Sequence, residues 1–236
     1  ICSPSPFEYK KVIKLPSMYG RRLVSETKPV YTEVMSLLRN IATVGGITMI
    51  SRVLGFVRDI LVATVLGAGV LADIFFVAFK LPNLFRRLFA EGAFSAAFVP
   101  QFAGYLESHG KEVARVFAEQ VLTVLLWLLV GFVIVLELAM PWVMLGFAPG
   151  FVRSPEQFDL AVLLTRITFP YLLFISLVSL LAGVLNSLGR FAAAAATPII
   201  LNLCLIGSIL WLVRFTPTPA HALAWGVAAA GMVQFC

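Results

Sequence analysis

The chain has 236 residues and a mass of 25.7 kDa; 60% of its residues are hydrophobic and 13% are charged. Soluble domains are about 45–50% apolar and about 25% charged, so the composition excludes an ordinary cytosolic enzyme, a disordered chain and a secreted disulfide scaffold. The net charge of +6 is not gathered into the basic patch that binds nucleic acid. The composition predicts an all-α, polytopic transmembrane helical bundle, because helices satisfy their own backbone hydrogen bonds in a bilayer.

Residues 1–34 differ in character from the rest of the chain. This segment is mixed, contains prolines and lacks the apolar core of a signal peptide. We expect it to be a leader outside the domain, either disordered or upstream of a true start at Met35. Residues 35–236 are then expected to form the N-terminal part of a transmembrane domain that is truncated within its last span.

About six transmembrane spans are predicted, the last of them incomplete. The predicted spans are residues 40–66, 70–102, 120–147, 167–189, 191–213 and 215–236. The fourth and fifth are uncharged for 23 residues each, which exceeds the roughly 20 that a helix needs to cross the hydrocarbon core. Glycine, proline and charged residues predict the connections between spans. These connections are residues 67–69, 104–119, 148–159, 186–190 and 216–219.

The first two predicted spans carry eight charged residues. The bases are Arg52, Arg58, Lys80, Arg86 and Arg87, and the acids are Asp59, Asp73 and Glu91. A charge at the bilayer centre costs about 2.5–3.5 kcal/mol, so these side chains are expected to face protein or a water-filled cavity. Because bases outnumber acids and arginine binds phosphate through two parallel donors, the pattern predicts a cavity for a phosphate- or carboxylate-bearing substrate. The alternative is a set of structural ion pairs or of side chains reaching toward the membrane surface.

The sequence contains no Gly-rich nucleotide loop, no metal-ligand cluster and no Ser/His/Asp set. His109 and His221 are isolated, which is typical of solvated or interfacial histidines. We therefore predict no catalytic residue, no metal and no cofactor, and we expect a transporter rather than an enzyme.

Several ordered motifs together resemble one family. The two longest are SRVLGFVRD at 51–59 and FFVAFKLPNLFRRLFAEGAFS at 75–95. The shorter ones are AD at 72–73, FVP at 98–100, APGF at 148–151, TFPY at 168–171 and LN at 185–186. These motifs resemble the N-terminal region of the MurJ/MviN lipid II flippases, which belong to the multidrug/oligosaccharidyl-lipid/polysaccharide exporter superfamily.

The resemblance implies two helical bundles that rock about a central cavity, of which this chain would form most of the first. It implies that lipid II (undecaprenyl pyrophosphate carrying the peptidoglycan disaccharide-pentapeptide) moves from the inner to the outer leaflet of the bacterial inner membrane. Membrane lipids and the cell-wall synthesis machinery would be further partners. The matching motifs place Arg52, Arg58, Asp59, Asp73, Asn83, Arg86 and Glu91 in the substrate-binding cavity, and the charge pattern adds Lys80 and Arg87.

Three other functions stay open on the sequence. A flippase for another undecaprenyl-linked oligosaccharide would share the architecture. A membrane enzyme acting on polyprenyl pyrophosphates would need clustered acids with a histidine or a metal site at a membrane face. A non-transporting scaffold for the cell-wall machinery would leave the intramembrane arginines without a use.

Overall fold

The computed structural model describes residues 30–88 and 93–236, so Glu91 and the first 29 residues of the expected leader lie outside the described part. Within that part the chain is helical and contains no β-strand, which confirms the predicted all-α class. The chain divides into two units, and the larger is Asn40–Cys236. The helices are α1 (Val30–Leu66), α2 (Val70–Arg86), α3 (Ala93–Leu138), α4 (Met140–Phe147), α5 (Pro155–Thr168), α6 (Tyr171–Ser187), α7 (Phe191–Leu210) and α8 (Pro219–Phe235).

Three of the predicted connections are confirmed. The turn between α1 and α2 contains Gly67 at φ +66°, and the turn between α6 and α7 contains Gly189 at φ +75°. Positive φ values cost glycine little because it has no Cβ. The third connection ends where α8 begins at Pro219, and a proline in the first helical turn loses no intrahelical hydrogen bond.

The predicted loop at 104–119 contains a break between two helical stretches, but the break is confined to Gly110 and the rest of the segment is helical. Helix α3 occupies this segment and is interrupted at Gly110, where φ is +82° and ψ is 179°. Glutamate, lysine and arginine are good helix formers, and Nε of Arg115 donates to Oε1 of Glu119 at 2.7 Å, one turn further on. The charges therefore mark a polar helix surface rather than irregular backbone.

The predicted loop at 148–159 is shorter than expected. A 3-10 turn covers Pro149–Arg153, and α5 begins at Pro155. Glu156 consequently lies in the first turn of α5, where a negative charge interacts favourably with the positive end of the helix dipole.

Three helical stretches are long and apolar enough to cross a membrane: Ala96–Phe147, Pro155–Ser187 and Phe191–Leu210. They contain most of the third, fourth and fifth predicted spans, and the chain is a membrane protein. Helices α1 and α2 carry the charged residues, and α8 has 17 residues. The crossing of the membrane by these three, and the exclusion of residues 1–34 from the domain, stay predictions.

The main apolar core lies where α2, α5, α6 and α8 meet. Ile74 of α2, Phe169 after α5, Leu172 of α6 and Leu223 of α8 are all at most 1% exposed. This packing sets the relative positions of the helices that carry the polar side chains of the cavity.

Helix α2 continues through Pro82 because a side chain from another helix replaces the missing donor. A helical carbonyl accepts from the N–H four residues later, and Pro82 has no N–H to give Ala78. Oγ1 of Thr168 lies 2.9 Å from the carbonyl oxygen of Ala78 and 3.1 Å from that of Thr165. Thr168 is completely buried, so its hydroxyl is the donor that reaches Ala78 from α5.

Candidate functional site

A cavity of about 490 Å³ lies among α1, α2, α6, α7 and α8. Three of the residues predicted from sequence line it: Arg58 from α1, and Asn83 and Arg86 from α2. Its volume is within the range of about 300–1,000 Å³ that is typical of small-molecule sites. Two guanidinium groups and an amide from two different helices therefore face one space between the helices.

Arg58 is held by a charged and a neutral partner. Its Nε and Nη2 donate to Oδ1 of Asp59 at 3.0 and 2.7 Å, and its Nη1 donates to Oδ1 of Asn202 at 2.9 Å. The Arg58 side chain is 24% exposed, whereas that of Asp59 is 67% exposed. Asp59 therefore bonds the Arg58 guanidinium on the exposed side of the bundle, and Asn202 bonds the same guanidinium on the buried side.

Asn202 links α7 to α1 through both ends of its amide. Besides accepting from Arg58, it donates from Nδ2 to the carbonyl oxygen of Ser51 at 3.0 Å. A Cβ added at Gly55 would lie 3.6 Å from the same Nδ2, so the two helices approach closely here. Asn202 is only 5% exposed, and a buried amide that uses both its donor and its acceptor fixes the groups on either side of it.

Arg86 is held by Asn83, three residues earlier on α2. Nε of Arg86 donates to Oδ1 of Asn83 at 2.8 Å, which is the side-chain contact expected for helix neighbours at this spacing. Arg86 also lies in the last turn of α2, where a positive charge is favoured by the helix dipole. A neutral amide orients this guanidinium without cancelling its charge.

The other predicted site residues do not line the cavity. Arg52, Asp59, Asp73, Lys80 and Arg87 are exposed on the outside of the described helices. Asp73 lies in the first turn of α2, which stabilises the helix by itself. Of the eight predicted site residues that the structure describes, three lie on the cavity wall, Asp59 joins them through its bond to Arg58, and the other four leave the exposed face of α1 and α2 charged.

The sequence interpretation missed the polar residues contributed by the later helices. These are Asn202 behind the cavity and Tyr171, Ser179, Thr197 and Gln234 on its wall. Nε2 of Gln234 donates to the carbonyl oxygen of Thr197 at 2.8 Å, which joins α8 to α7. The amide side chains inside otherwise uncharged spans could have indicated these residues, because a polar group in hydrocarbon needs a hydrogen-bond partner just as a charge does.

The electrostatics of the cavity favour an anion. Two guanidiniums face it, and the Asp59 carboxylate contacts that of Arg58 from its exposed side. Low-dielectric walls strengthen the attraction of such a site for negative charge. Within the described residues there is no group of three or more side chains suited to hold a metal ion.

Comparisons with known proteins point to one family. The sequence model of the family described as lipid II flippase MurJ matches residues 62–236. The chain is 49% identical over 207 residues to the probable lipid II flippase MurJ of Rhizobium tropici, covering 85% of this chain and 38% of that protein. It is 41% identical over 201 residues to the lipid II flippase MurJ of Burkholderia cenocepacia, covering 85% and 39%.

A solved structure shares the fold. It is that of a lipid II flippase MurJ in an inward closed conformation, with a TM-score of 0.66 and 28% sequence identity. The similarity covers 80% of this chain and 40% of the solved one. The chain thus spans about two fifths of the length of the relatives that it matches.

Proposed function

The chain belongs to the lipid II flippase MurJ family, and from this premise we propose that the full-length protein is a lipid II transporter and not an enzyme. It moves the undecaprenyl-pyrophosphate-linked peptidoglycan precursor from the inner to the outer leaflet of the bacterial inner membrane by alternating access. Its partners are lipid II, the surrounding membrane lipids and the cell-wall synthesis machinery.

One observation carries the proposal: Arg58 and Arg86 face a shared cavity between apolar helices, and the amides of Asn202 and Asn83 each accept a hydrogen bond from one of these guanidiniums. Pyrophosphate is the most concentrated negative charge of a lipid-linked sugar, and arginine binds phosphate oxygens through paired charge-assisted hydrogen bonds. Asp59 moderates the positive charge of Arg58 while the cavity is empty. The arrangement suits a site that must hold an anion and then release it.

The rest of the substrate needs a surface beyond the cavity. A space of about 490 Å³ suits a drug-sized group, whereas the headgroup of lipid II carries a disaccharide and a pentapeptide. We assign Arg52, Asp73, Lys80 and Arg87, which are exposed on α1 and α2, to the larger polar region that receives this headgroup, together with Glu91. The polyprenyl chain stays in the lipid while the head crosses.

The experiment replaces Arg58 or Arg86 by alanine in the full-length protein and measures lipid II exposed on the outer face of cells or vesicles. Hydrogen bonds to charged groups contribute about 1.5–3 kcal/mol, so we expect each variant to lose about tenfold or more of its lipid II binding and a matching share of export. Arg153→Ala is the control, since Arg153 is exposed in the turn before α5 and lies outside the cavity.

Two results would contradict the proposal. Undiminished export by a well-expressed Arg58→Ala variant would show that transport does not depend on this cavity. Release of phosphate from labelled lipid pyrophosphate by the purified wild-type protein would favour the membrane enzyme. Export of a different undecaprenyl-linked sugar in preference to lipid II would instead keep the mechanism and change the substrate.

A further inference from the structure

The junction between α3 and α4 leaves one main-chain carbonyl without its helical donor. In a continuous helix the carbonyl of Glu137 would accept from the N–H of residue 141, but that residue is Pro141, which has none. Helix α3 ends at Leu138 and α4 begins at Met140, with φ −83° and ψ 2° at the residue between them. The carbonyl of Glu137 therefore needs a donor from elsewhere in the bundle.

Arg166 of α5 supplies that donor. Its Nε lies 3.2 Å from the carbonyl oxygen of Glu137, so a guanidinium completes the backbone of a helix 29 residues away along the chain. The same guanidinium is the charged group that acts on the Glu137 carboxyl. One arginine thus stands beside two possible acceptors on a single residue.

The carboxyl of Glu137 is poorly placed to carry a charge. Its Oε1 is buried and has no hydrogen-bond partner among the described residues. The residue ends the uncharged run 120–136, in one of the stretches apolar enough to cross a membrane. Glu137 is half-buried, and Oε1 is the carboxyl oxygen that is enclosed. An ionised carboxylate with an oxygen that lacks a donor in an apolar setting is costly, and the carboxyl avoids that cost by binding a proton.

Among the described residues, α2 packs on α3 through Phe85 and Phe132, whose ring centroids lie 5.2 Å apart, and it brings Arg86 and Arg87 to the same end of the contact. Helices α4 and α6 contain no acidic or basic residue, and Tyr171, the titratable residue of α6, lines the separate cavity. On α5 the nearest acid to Arg166 is Asp159, seven residues earlier, or about 10 Å along the axis. Within the described helices, Arg166 is the charged residue that contacts Glu137.

We propose that Glu137 is a proton-binding site whose state decides which acceptor Arg166 serves. With the proton bound, the carboxyl is neutral and the guanidinium completes the carbonyl that Pro141 leaves bare. When the O–H bond breaks, the proton goes to water and its electron pair stays on the carboxylate, which then draws the guanidinium into a stronger charge-assisted bond. The carbonyl loses its donor, and the junction of α3 and α4 loosens.

The test is infrared spectroscopy of the purified full-length protein in lipid nanodiscs. At neutral pH we expect a protonated-carboxyl C=O band that disappears in Glu137→Gln. Glu119→Gln is the matched control, because Glu119 is exposed and bonded to Arg115, and its removal should leave the band intact. A wild-type spectrum without this band, or a band that survives in Glu137→Gln, would overturn the proposal.

A second measurement separates a proton switch from a merely structural contact. In Pro141→Ala the backbone N–H returns and releases Arg166 to the carboxylate, so the C=O band should vanish at a lower pH than in the wild type. An unchanged pH for this loss would contradict the exchange of acceptors.

The wild type should also lose thermal stability, relative to Glu137→Gln, as pH rises through the loss of the band, because the carbonyl of Glu137 then loses the donor that Arg166 supplies. A difference that does not vary with pH would contradict the switch. These readouts do not involve lipid II, so they stand or fall independently of the transport assay.

Discussion

The guanidinium of Arg58 owes its direction to Asn202 more than to its charged neighbour. Asp59 is adjacent in sequence and exposed, while the amide of Asn202 is buried and anchored to the Ser51 carbonyl by its other end. A buried group with both hydrogen bonds satisfied is a rigid support, whereas an exposed ion pair contributes about 0–1 kcal/mol. We therefore regard Asn202 as a positioning residue for Arg58.

Replacement of Asn202 by alanine should weaken the binding of lipid II to the full-length protein. The lost hydrogen bond to a charged group corresponds to about 1.5–3 kcal/mol, which is about tenfold or more in affinity. The control is Ser208→Ala on the same helix, because Ser208 is equally buried but bonds only to the carbonyl of Leu205. Binding constants and thermal midpoints should be measured on both variants; equal losses of binding would show that Asn202 serves only packing.

Site residues could be predicted from the sequence only where placing the side chain in hydrocarbon has a high free-energy cost. That cost marks Arg58 and Arg86 as candidates from the sequence alone, together with the other charges of the first two spans, because a guanidinium in an apolar span must find water or a partner. It does not distinguish them from Arg52 or Lys80, since the direction of a side chain depends on how its helix is rotated against neighbours far away in sequence. Asn202 was missed because an uncharged amide leaves a span looking apolar.

Two side chains of helix α5 donate hydrogen bonds to main-chain carbonyls that lack a helical donor because of a proline in another helix. Thr168 donates to the carbonyl that Pro82 leaves without a donor in α2, and Arg166 does the same for the carbonyl before Pro141. Prolines are tolerated in transmembrane helices when neighbouring groups satisfy the freed carbonyls. The sequence located the prolines, but which side chain would satisfy each carbonyl follows only from the packing.

Thr168→Val tests the hydrogen bond from Thr168 to the carbonyl of Ala78 in α2. The substitution keeps the shape but leaves the buried carbonyl of Ala78 without a donor, so we expect a loss of about 1–3 kcal/mol in the free energy of unfolding. In a Pro82→Ala background the backbone N–H is restored, and the same substitution should cost clearly less. Thermal unfolding in detergent measures both effects, with Thr123→Val as the control because Thr123 is exposed and bonds within its own helix. Strict additivity would show that Pro82 and Thr168 do not share the carbonyl.

The predicted loop at 104–119 shows why charge alone did not locate backbone turns. The same residues that predict contact with water also favour a helix, and the chain changes direction only at Gly110, the residue with positive φ. The connections at Gly67 and Gly189 were predicted correctly because glycine there interrupts an apolar run. Glycine position was therefore a better guide to turns in this bundle than polarity.

The charged face of α1 and α2 gives the molecule a polar side that its apolar helices lack. Asp73, Lys80 and Arg87 repeat every seven residues on α2 and are all exposed, so they follow one side of the helix. The five exposed charges of this face, if they contacted acyl chains, would together cost as much as the whole stability of a typical domain, which is about 5–15 kcal/mol. Because the chain covers only 38% of a relative's length, we expect the remainder of the full-length protein and water to cover this side.

Thiol labelling in the full-length protein distinguishes water from lipid at this surface. In a background from which the natural cysteines have been removed, Lys80→Cys should react rapidly with a membrane-impermeant maleimide, while Trp127→Cys should not. Both positions are exposed in the structure, but Trp127 lies in an uncharged run that should face acyl chains. Only the thiolate reacts with maleimide, and an impermeant reagent in water does not reach a thiol that is covered by acyl chains. Equal labelling rates at the two positions would place the charged side of α2 in lipid. The larger polar region proposed to receive the headgroup would then be excluded.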